Sequence, residues 1–228
     1  TAGITMAFEV CAALEKRRES GRGDHLDVSL WEATAVFSVE AWMDHVMNGA
    51  EPTPQGSRDL AMSPHGFFPT RGEDDWISIA CESDEQWRAL SDELAPELGN
   101  DPRFRLFSDR KGNESELEEE LAARTRDRER WELTRALQAR GVSAFPAMTS
   151  ADLLSDPHLE ARGFLEENPH PEVGIRKHTG IPYSLERRPN GVRKAAPVLG
   201  ADTNAVLSEV LGYSADEIRA LRDSKVLY

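Results

Sequence analysis

Gly23-Asp24-His25-Leu26-Asp27-Val28-Ser29-Leu30-Trp31 sets Leu26, Val28 and Leu30 in alternation with Asp27 and Ser29. A period of two is the pattern of a short strand with one apolar face. Upstream, Ile4, Ala7, Phe8, Cys11 and Leu14 recur at helical spacing over residues 4–18. Lys16-Arg17-Arg18 suit the negative end of that helix's dipole, and Gly21 and Gly23 end it. Downstream, Trp31, Ala35, Phe37, Ala41 and Trp42 mark a second helix running to about Met47. Helix, strand and helix in this order predict an α/β layer.

Gly49, Pro52, Pro54, Gly56, Pro64 and Gly66 interrupt any regular element over residues 48–66, which predicts a linker and a boundary near residue 58. Phe67-Phe68-Pro69 and Trp76-Ile77-Ser78-Ile79-Ala80 then flank Gly72-Glu73-Asp74-Asp75, the pattern of a hairpin. Ser83 followed by Gln86 predicts a capping box and a helix burying Trp87 and Leu90. Residues 114–140 read as one charged helix, with Glu120 and Arg124 at i,i+4 and Arg124, Arg126, Arg128 and Arg130 on a solvated face. Trp131, Leu133 and Leu137 supply its buried side. Val142–Met148 predicts a strand with Pro146 near an edge. Ser150 is expected to cap a helix through Leu154, Asp156-Pro157-His158 restarts another that ends at Gly163, and short strands follow near Phe164–Glu166 and Ile175–His178. Asp202 or Thr203 opens a helix stopped by Gly212, and Ser214 with Glu217 forms a capping box for the last one.

The balance of 27 Lys and Arg against 41 Asp and Glu gives a formal charge of -14, which argues against a protein that tracks nucleic-acid phosphates. Two cysteines, Cys11 and Cys81, predict thiols in a reducing compartment rather than a disulfide framework. No apolar run approaches the ~20 residues of a membrane span, and Thr1 opens no signal-peptide pattern, so the expected compartment is the cytoplasm. The chain enters an apolar helix at once, with no initiator methionine, as a cut or processed chain would.

Nothing in the sequence matches a P-loop, GxGxxG, HExxH, GxSxG or paired CxxC. His65, His158, His170 and His178 are scattered, and no metal-ligand spacing surrounds either cysteine. Glu82, Asp84 and Glu85 crowd a helix start. There they either complement the helix dipole or face a cleft, and the two readings stay open.

Several segments, in order, carry a resemblance. They are Ala13-Leu14-Glu15-Lys16-Arg17 with Gly21 to Leu30; Pro64-His65-Gly66-Phe67-Phe68-Pro69-Thr70 with Asp75 to Ala80 and Asp84-Glu85-Gln86-Trp87; Asp101-Pro102-Arg103-Phe104 with Arg110 and Asn113; Gly141-Val142 with Pro146, then Asp156-Pro157-His158 and Arg162-Gly163; and Ala196-Pro197-Val198-Leu199-Gly200 with Leu211-Gly212-Tyr213-Ser214. Together they resemble the later part of class III CoA-transferases, the superfamily of formyl-CoA transferase, carnitine CoA-transferase and α-methylacyl-CoA racemase.

The resemblance implies an α/β fold with part of a Rossmann-like large domain and an inserted smaller α/β domain. Residues 1–47 and 186–228 would belong to the large domain and 58–149 to the small one, with 48–57 and 150–185 as linkers. It implies an enzyme that moves CoA between carboxylic acids through an aspartyl intermediate, or a racemase that moves the proton α to a thioester. A third reading is a non-catalytic, partner-binding module derived from the family. The resemblance places the nucleophilic aspartate and most CoA contacts upstream of Thr1. Within the chain, Asp84 falls near a glutamate of the racemase active site and is the one candidate catalytic residue. The Gly-rich loop of formyl-CoA transferases is absent around residues 60–72, which counts against oxalate or formate as the acid. Acyl-CoA and a carboxylic acid are the expected substrates, with no permanently bound cofactor or metal. The expected assembly is an interlocked homodimer or a complex with an N-terminal segment. Without such a partner, residues 4–14 and 26–37 should expose apolar surface.

Overall fold

The computed structural model describes residues 1–51, 53–187 and 191–227. Pro52 of the expected linker, and residues 188–190 and 228 of the expected C-terminal segment, lie outside the described residues. The described residues are mixed α/β, with 49% helix and 12% strand. It divides into two compact units. One comprises Thr1–Phe67, Ile79–Ala123 and Arg140–Ser143, and the other comprises Phe68–Ser78, Arg124–Ala139 and Ala144–Tyr228.

The first unit opens with α1 (Ala2–Ser20), which ends as its glycine predicts. Gly21 adopts the left-handed conformation, φ 69°, and its N–H closes on the Arg17 carbonyl, with Arg17 and Arg18 in the last turn. Ser29 caps α2 (Leu30–Ala35) by accepting from the Glu32 N–H. A 3-10 turn, Val36–Ser38, leads into α3 (Val39–Asn48). None of these helices buries a residue, and Ile4, Phe8, Trp31 and Phe37 are each at least 70% exposed. The apolar surface expected of residues 4–14 and 26–37 is therefore present. The strand expected at Leu26–Leu30 is not: residues 22–29 form no strand, and Leu30 already begins α2. An alternating segment becomes a strand only when a neighbour takes up its backbone hydrogen bonds, and no described strand pairs with this one.

Arg58 anchors the end of the linker. Its Nε and Nη2 donate to the two carboxylate oxygens of Glu118 at 2.8 and 2.7 Å. Strands β1 (His65–Pro69), β2 (Trp76–Ala80) and β3 (Ser143–Pro146) form one sheet in that order. Pro146, which cannot donate to a ladder, ends the edge strand β3. Ser83 caps α4 (Asp84–Leu94) by accepting from Gln86 N–H, and α4 buries Trp87 and Leu90. The return arm of the expected capping box is diverted, because Gln86 Oε1 accepts from Glu82 N–H and its amide donates to the Gly141 carbonyl. Two short helices follow, α5 (Pro96–Asn100) and α6 (Phe107–Gly112).

The single helix expected over 114–140 is two, α7 (Glu114–Thr125) and α8 (Arg130–Ala139). The Arg128 carbonyl between them accepts from Arg71 N–H, a bond available to a backbone outside a helix. Arg130 is drawn off the expected solvated face. It is 14% exposed, with Nη2 3.0 Å from Asp152 Oδ2 and Nη1 3.4 Å from Asp75 Oδ1. The cap expected at Ser150 is Thr149, whose hydroxyl and Asp152 form a full capping box for α9 (Ser150–Leu154). Helix α10 (Pro157–Ala161) is capped by Asp156. Strands β4 (Leu165–His170) and β5 (Gly174–Thr179) pair antiparallel, Leu165 opposite Thr179 and His170 opposite Gly174. Near the end, α11 (Thr203–Ala205) runs into a π turn, Val206–Val210. The Ser214–Glu217 box opens α12 (Ala215–Asp223) as expected. No described helix is long and apolar enough to cross a membrane.

Candidate functional site

The described residues place the candidate carboxylate, Asp84, in the first turn of α4, where the Ser83 cap fixes the direction of the helix. Helix α6 presents Arg110, whose side chain is 1% exposed. A guanidinium taken out of water needs acceptors for its donors. Here Nε donates to the Ser63 carbonyl at 2.8 Å, Nη1 to the Phe104 and Arg105 carbonyls at 3.2 and 3.4 Å, and Nη2 to Asp84 Oδ1 at 2.8 Å. The guanidinium carbon also sits 5.2 Å from the centroid of the buried Trp87 ring, within cation–π range.

Asp84 is therefore held by one oxygen on a buried cation, with its side chain 35% exposed. Such a carboxylate has a set direction and keeps contact with solvent. It can accept a hydrogen bond or a proton from a group that approaches its outer side. Cys81 lies next to this cluster. Two backbone hydrogen bonds tie Cys81 to residues 63–64, from Ser63 N–H to the Cys81 carbonyl and from Cys81 N–H to the Pro64 carbonyl. Burial pushes the Cys81 thiol up to about 12, partly offset by the Arg110 charge, so it stays protonated and is no nucleophile at neutral pH. Ser63 Oγ and Trp87 Nε1, both buried, find no hydrogen-bond partner among the described residues.

The neighbouring acids divide between the two readings left open by the sequence. Glu85 is exposed, and its carboxyl is held below the usual range by its own backbone N–H and the Ser83 hydroxyl, which is helix-terminus complementarity. Glu82 is exposed. Only Asp84 of the three has a buried cationic partner.

The histidines do not gather. His65 Nδ1 bonds the Ser57 carbonyl. His170 Nδ1 accepts from Glu172 and Val173 N–H and so closes the turn between β4 and β5. His178 lies in β5 and His158 in α10. No three His, Cys, Asp or Glu side chains among the described residues are grouped to hold a metal ion. Arg110 carries no local sequence signal of its place in the Asp84 cluster. Its partner lies 26 positions away, and no local periodicity reports that pairing.

The profile of CoA-transferase family III matches residues 1–203. A probable CoA-transferase of Mycobacterium tuberculosis is 33% identical over 99% of this chain and 28% of its own length. The succinyl-CoA–L-malate CoA-transferase alpha subunit of Chloroflexus aurantiacus is 30% identical over 99% of this chain and 53% of its own. The succinyl-CoA–D-citramalate CoA-transferase of the same organism is 26% identical over 97% and 55%. Among solved structures, a CAIB/BAIF family protein from Brucella suis superposes with a TM-score of 0.81 at 27% identity, covering 92% of this chain and 54% of that one. The chain thus spans about half the length of these relatives, or less.

Proposed function

The chain belongs to CoA-transferase family III, and we propose that the whole protein transfers CoA from an acyl-CoA to a carboxylic acid. The observation that carries this reading is the family match over residues 1–203, joined by relatives that are named CoA-transferases. CoA enters as the thioester substrate, with no permanent cofactor. The nucleophilic aspartate comes from a segment upstream of these 228 residues. It attacks the acyl carbonyl to give a mixed anhydride and CoA thiolate. The thiolate then converts the anhydride to an aspartyl-CoA thioester and frees the first acid, and the second acid collects CoA by the reverse steps. Asp84, aimed by Arg110, is the chain's contribution to the site, as a fixed carboxylate that orients a donor group or holds a proton.

In this reading residues 1–47 and 186–228 are large-domain segments, 58–149 is the small α/β domain, and 48–57 and 150–185 link them. The exposed apolar faces of α1 to α3 are covered in an interlocked homodimer or by the N-terminal segment. Two cysteines outside any disulfide fit a cytoplasmic enzyme.

The test uses the full-length native protein, with succinyl-CoA as first donor because relatives are named for it. A panel of dicarboxylic and hydroxy acids serves as acceptors, and CoA exchange is followed by mass spectrometry. The expected result is exchange with a hydroxylamine-sensitive enzyme adduct. Exchange of the α-hydrogen in deuterated water without any acceptor acid would instead make it a racemase. Absence of both activities, with a stable partner complex, would make it a binding module.

A further inference from the structure

A cavity outside the Asp84 cluster lies beside α10. It has a volume of about 290 Å3 and is bounded by α10, the turn at Gly163, the start of β4 and residues 181–184. This is at the small end of the ~300–1,000 Å3 of ligand pockets, so it suits a ligand of few heavy atoms.

Its walls differ in chemistry. His158 and Arg162, four residues apart, both line it, and this spacing puts them on one side of the helical turn. Neither side chain makes a hydrogen bond or ion pair with any described residue. This sets Arg162 apart from Arg58, Arg103, Arg110, Arg130 and Arg140, each of which is paired with a carboxylate. Leu159, Phe164 and Ile181, all half-buried, supply apolar wall. The acid in the cavity, Glu166, is turned to another task. Its Oε2 accepts from Val192 N–H at 2.7 Å, and its Oε1 lies only 2.4 Å from where a Cβ on Gly180 would stand. Glu166 therefore fastens the segment after β5 to β4, and the absence of a side chain at Gly180 makes room for it.

We propose that this cavity is a binding site for a short-chain monocarboxylate, with the Arg162 guanidinium taking the carboxylate and the Leu159–Phe164–Ile181 wall taking the alkyl part. Arg162 suits this because its planar fork matches a carboxylate in bidentate geometry. His158, on α10, adds a second donor four residues before Arg162. The site does not depend on the transferase reading. It is formed from residues 158–184 alone, and a protein with no CoA chemistry would still have it.

The test is a saturation-transfer NMR titration of the native protein with sodium 3-methylbutanoate. It is repeated with the neutral 3-methylbutan-1-ol and the cationic 3-methylbutylammonium. The expected result is saturable binding of the carboxylate, at least about tenfold weaker for the alcohol and the ammonium ion, with saturation strongest on the methyl groups. Arg162→Gln should weaken carboxylate binding at least about tenfold. Arg176→Gln on β5, whose side chain bonds only its neighbour's carbonyl among the described residues, should leave it unchanged. Arg162 is exposed, and a matching circular dichroism spectrum and melting temperature would show that the variant folds. Carboxylate binding that survives Arg162→Gln belongs to another site, such as an acceptor-acid site, and overturns the proposal. So does equal binding of the alcohol or the ammonium ion, or no saturable binding.

Discussion

Arg110 on α6 donates from Nη2 to Asp84 Oδ1 at 2.8 Å, tying the first turn of α4 to a buried cation that also holds the carbonyls of Ser63, Phe104 and Arg105. Breaking this cluster from its buried side should cost more than breaking it from the exposed side. Arg110→Met leaves three carbonyls and a carboxylate without their donor and should destabilise the protein by about 3–5 kcal/mol. Asp84→Ala leaves Arg110 with three carbonyls and should cost about 1.5–3 kcal/mol. Urea denaturation of the two variants measures both. Equal, near-zero losses would show that the cluster is not a structural anchor.

The two thiols should differ sharply in reactivity. Cys11 is exposed on α1, whereas Cys81 is fully buried with its thiol pushed up to about 12. A disulfide reagent at neutral pH should modify one thiol fast and the second only on unfolding. The same shift sets a pH dependence. A folded value above the ordinary 9.0 means the contribution is intact below pH 9 and is lost as pH rises from there towards 12. Two thiols reacting at one rate would contradict the burial of Cys81.

Gly72 turns the β1–β2 hairpin at φ +146°, and a Cβ there would stand 2.2 Å from Asp75 Oδ2. Asp75 in turn faces Arg130 at 3.4 Å. Gly72→Ala should lower stability by about 1–3 kcal/mol, from backbone strain and the displaced carboxylate. Gly112→Ala, in α6 with open space around it, should be neutral or stabilising by up to about 1 kcal/mol. Thermal melts of the pair decide this, and a tolerated Gly72→Ala would mean that the turn is not held in this geometry.

Acid should weaken the fold in a defined window. The Asp101 carboxyl is lowered by the Arg103 guanidinium, Asp152 by the Thr149 N–H and hydroxyl, Glu217 by the Ser214 hydroxyl and N–H, and Glu129 by the Trp131 and Glu132 N–H groups. A folded value below the unfolded one contributes stability above the unfolded value and loses it as pH falls through the folded one. The ordinary values are 3.8 for the aspartates and 4.5 for the glutamates. The urea midpoint should therefore hold from neutral pH to about 5 and fall below it. All four groups are solvent-accessible, so added salt should blunt the drop. A midpoint that rises on acidification would refute this account.

Signals whose bonding partner is local mostly hold, the cap at Thr149 in place of Ser150 being an exception. The Gly21 terminus, the Ser83 cap and the Ser214–Glu217 box all span four residues or fewer, and each appears as expected. Signals whose partner is distant do not show in the sequence. Leu26–Leu30 alternates like a strand, but no described strand pairs with it. Arg130 sits in a charged run and reads as solvated, yet Asp152, 22 positions on, draws it in to 14% exposure. Asp84 was legible as a carboxylate at a helix start, and its attachment to Arg110 was not.

The sequence alone determined membership in a family, through motifs in order, and it determined most helix ends and the hairpin of Phe67–Pro69 with Trp76–Ala80, because spacing and capping chemistry act over a few residues. Only the tertiary structure decided which charges leave water. Arg110, Arg130 and Arg58 are paired across 26, 22 and 60 positions, while Arg162 is left facing a cavity. A guanidinium is buried only where the fold brings carbonyls and a carboxylate within hydrogen-bond reach to offset its lost hydration. That convergence belongs to the closed chain and to no stretch of it.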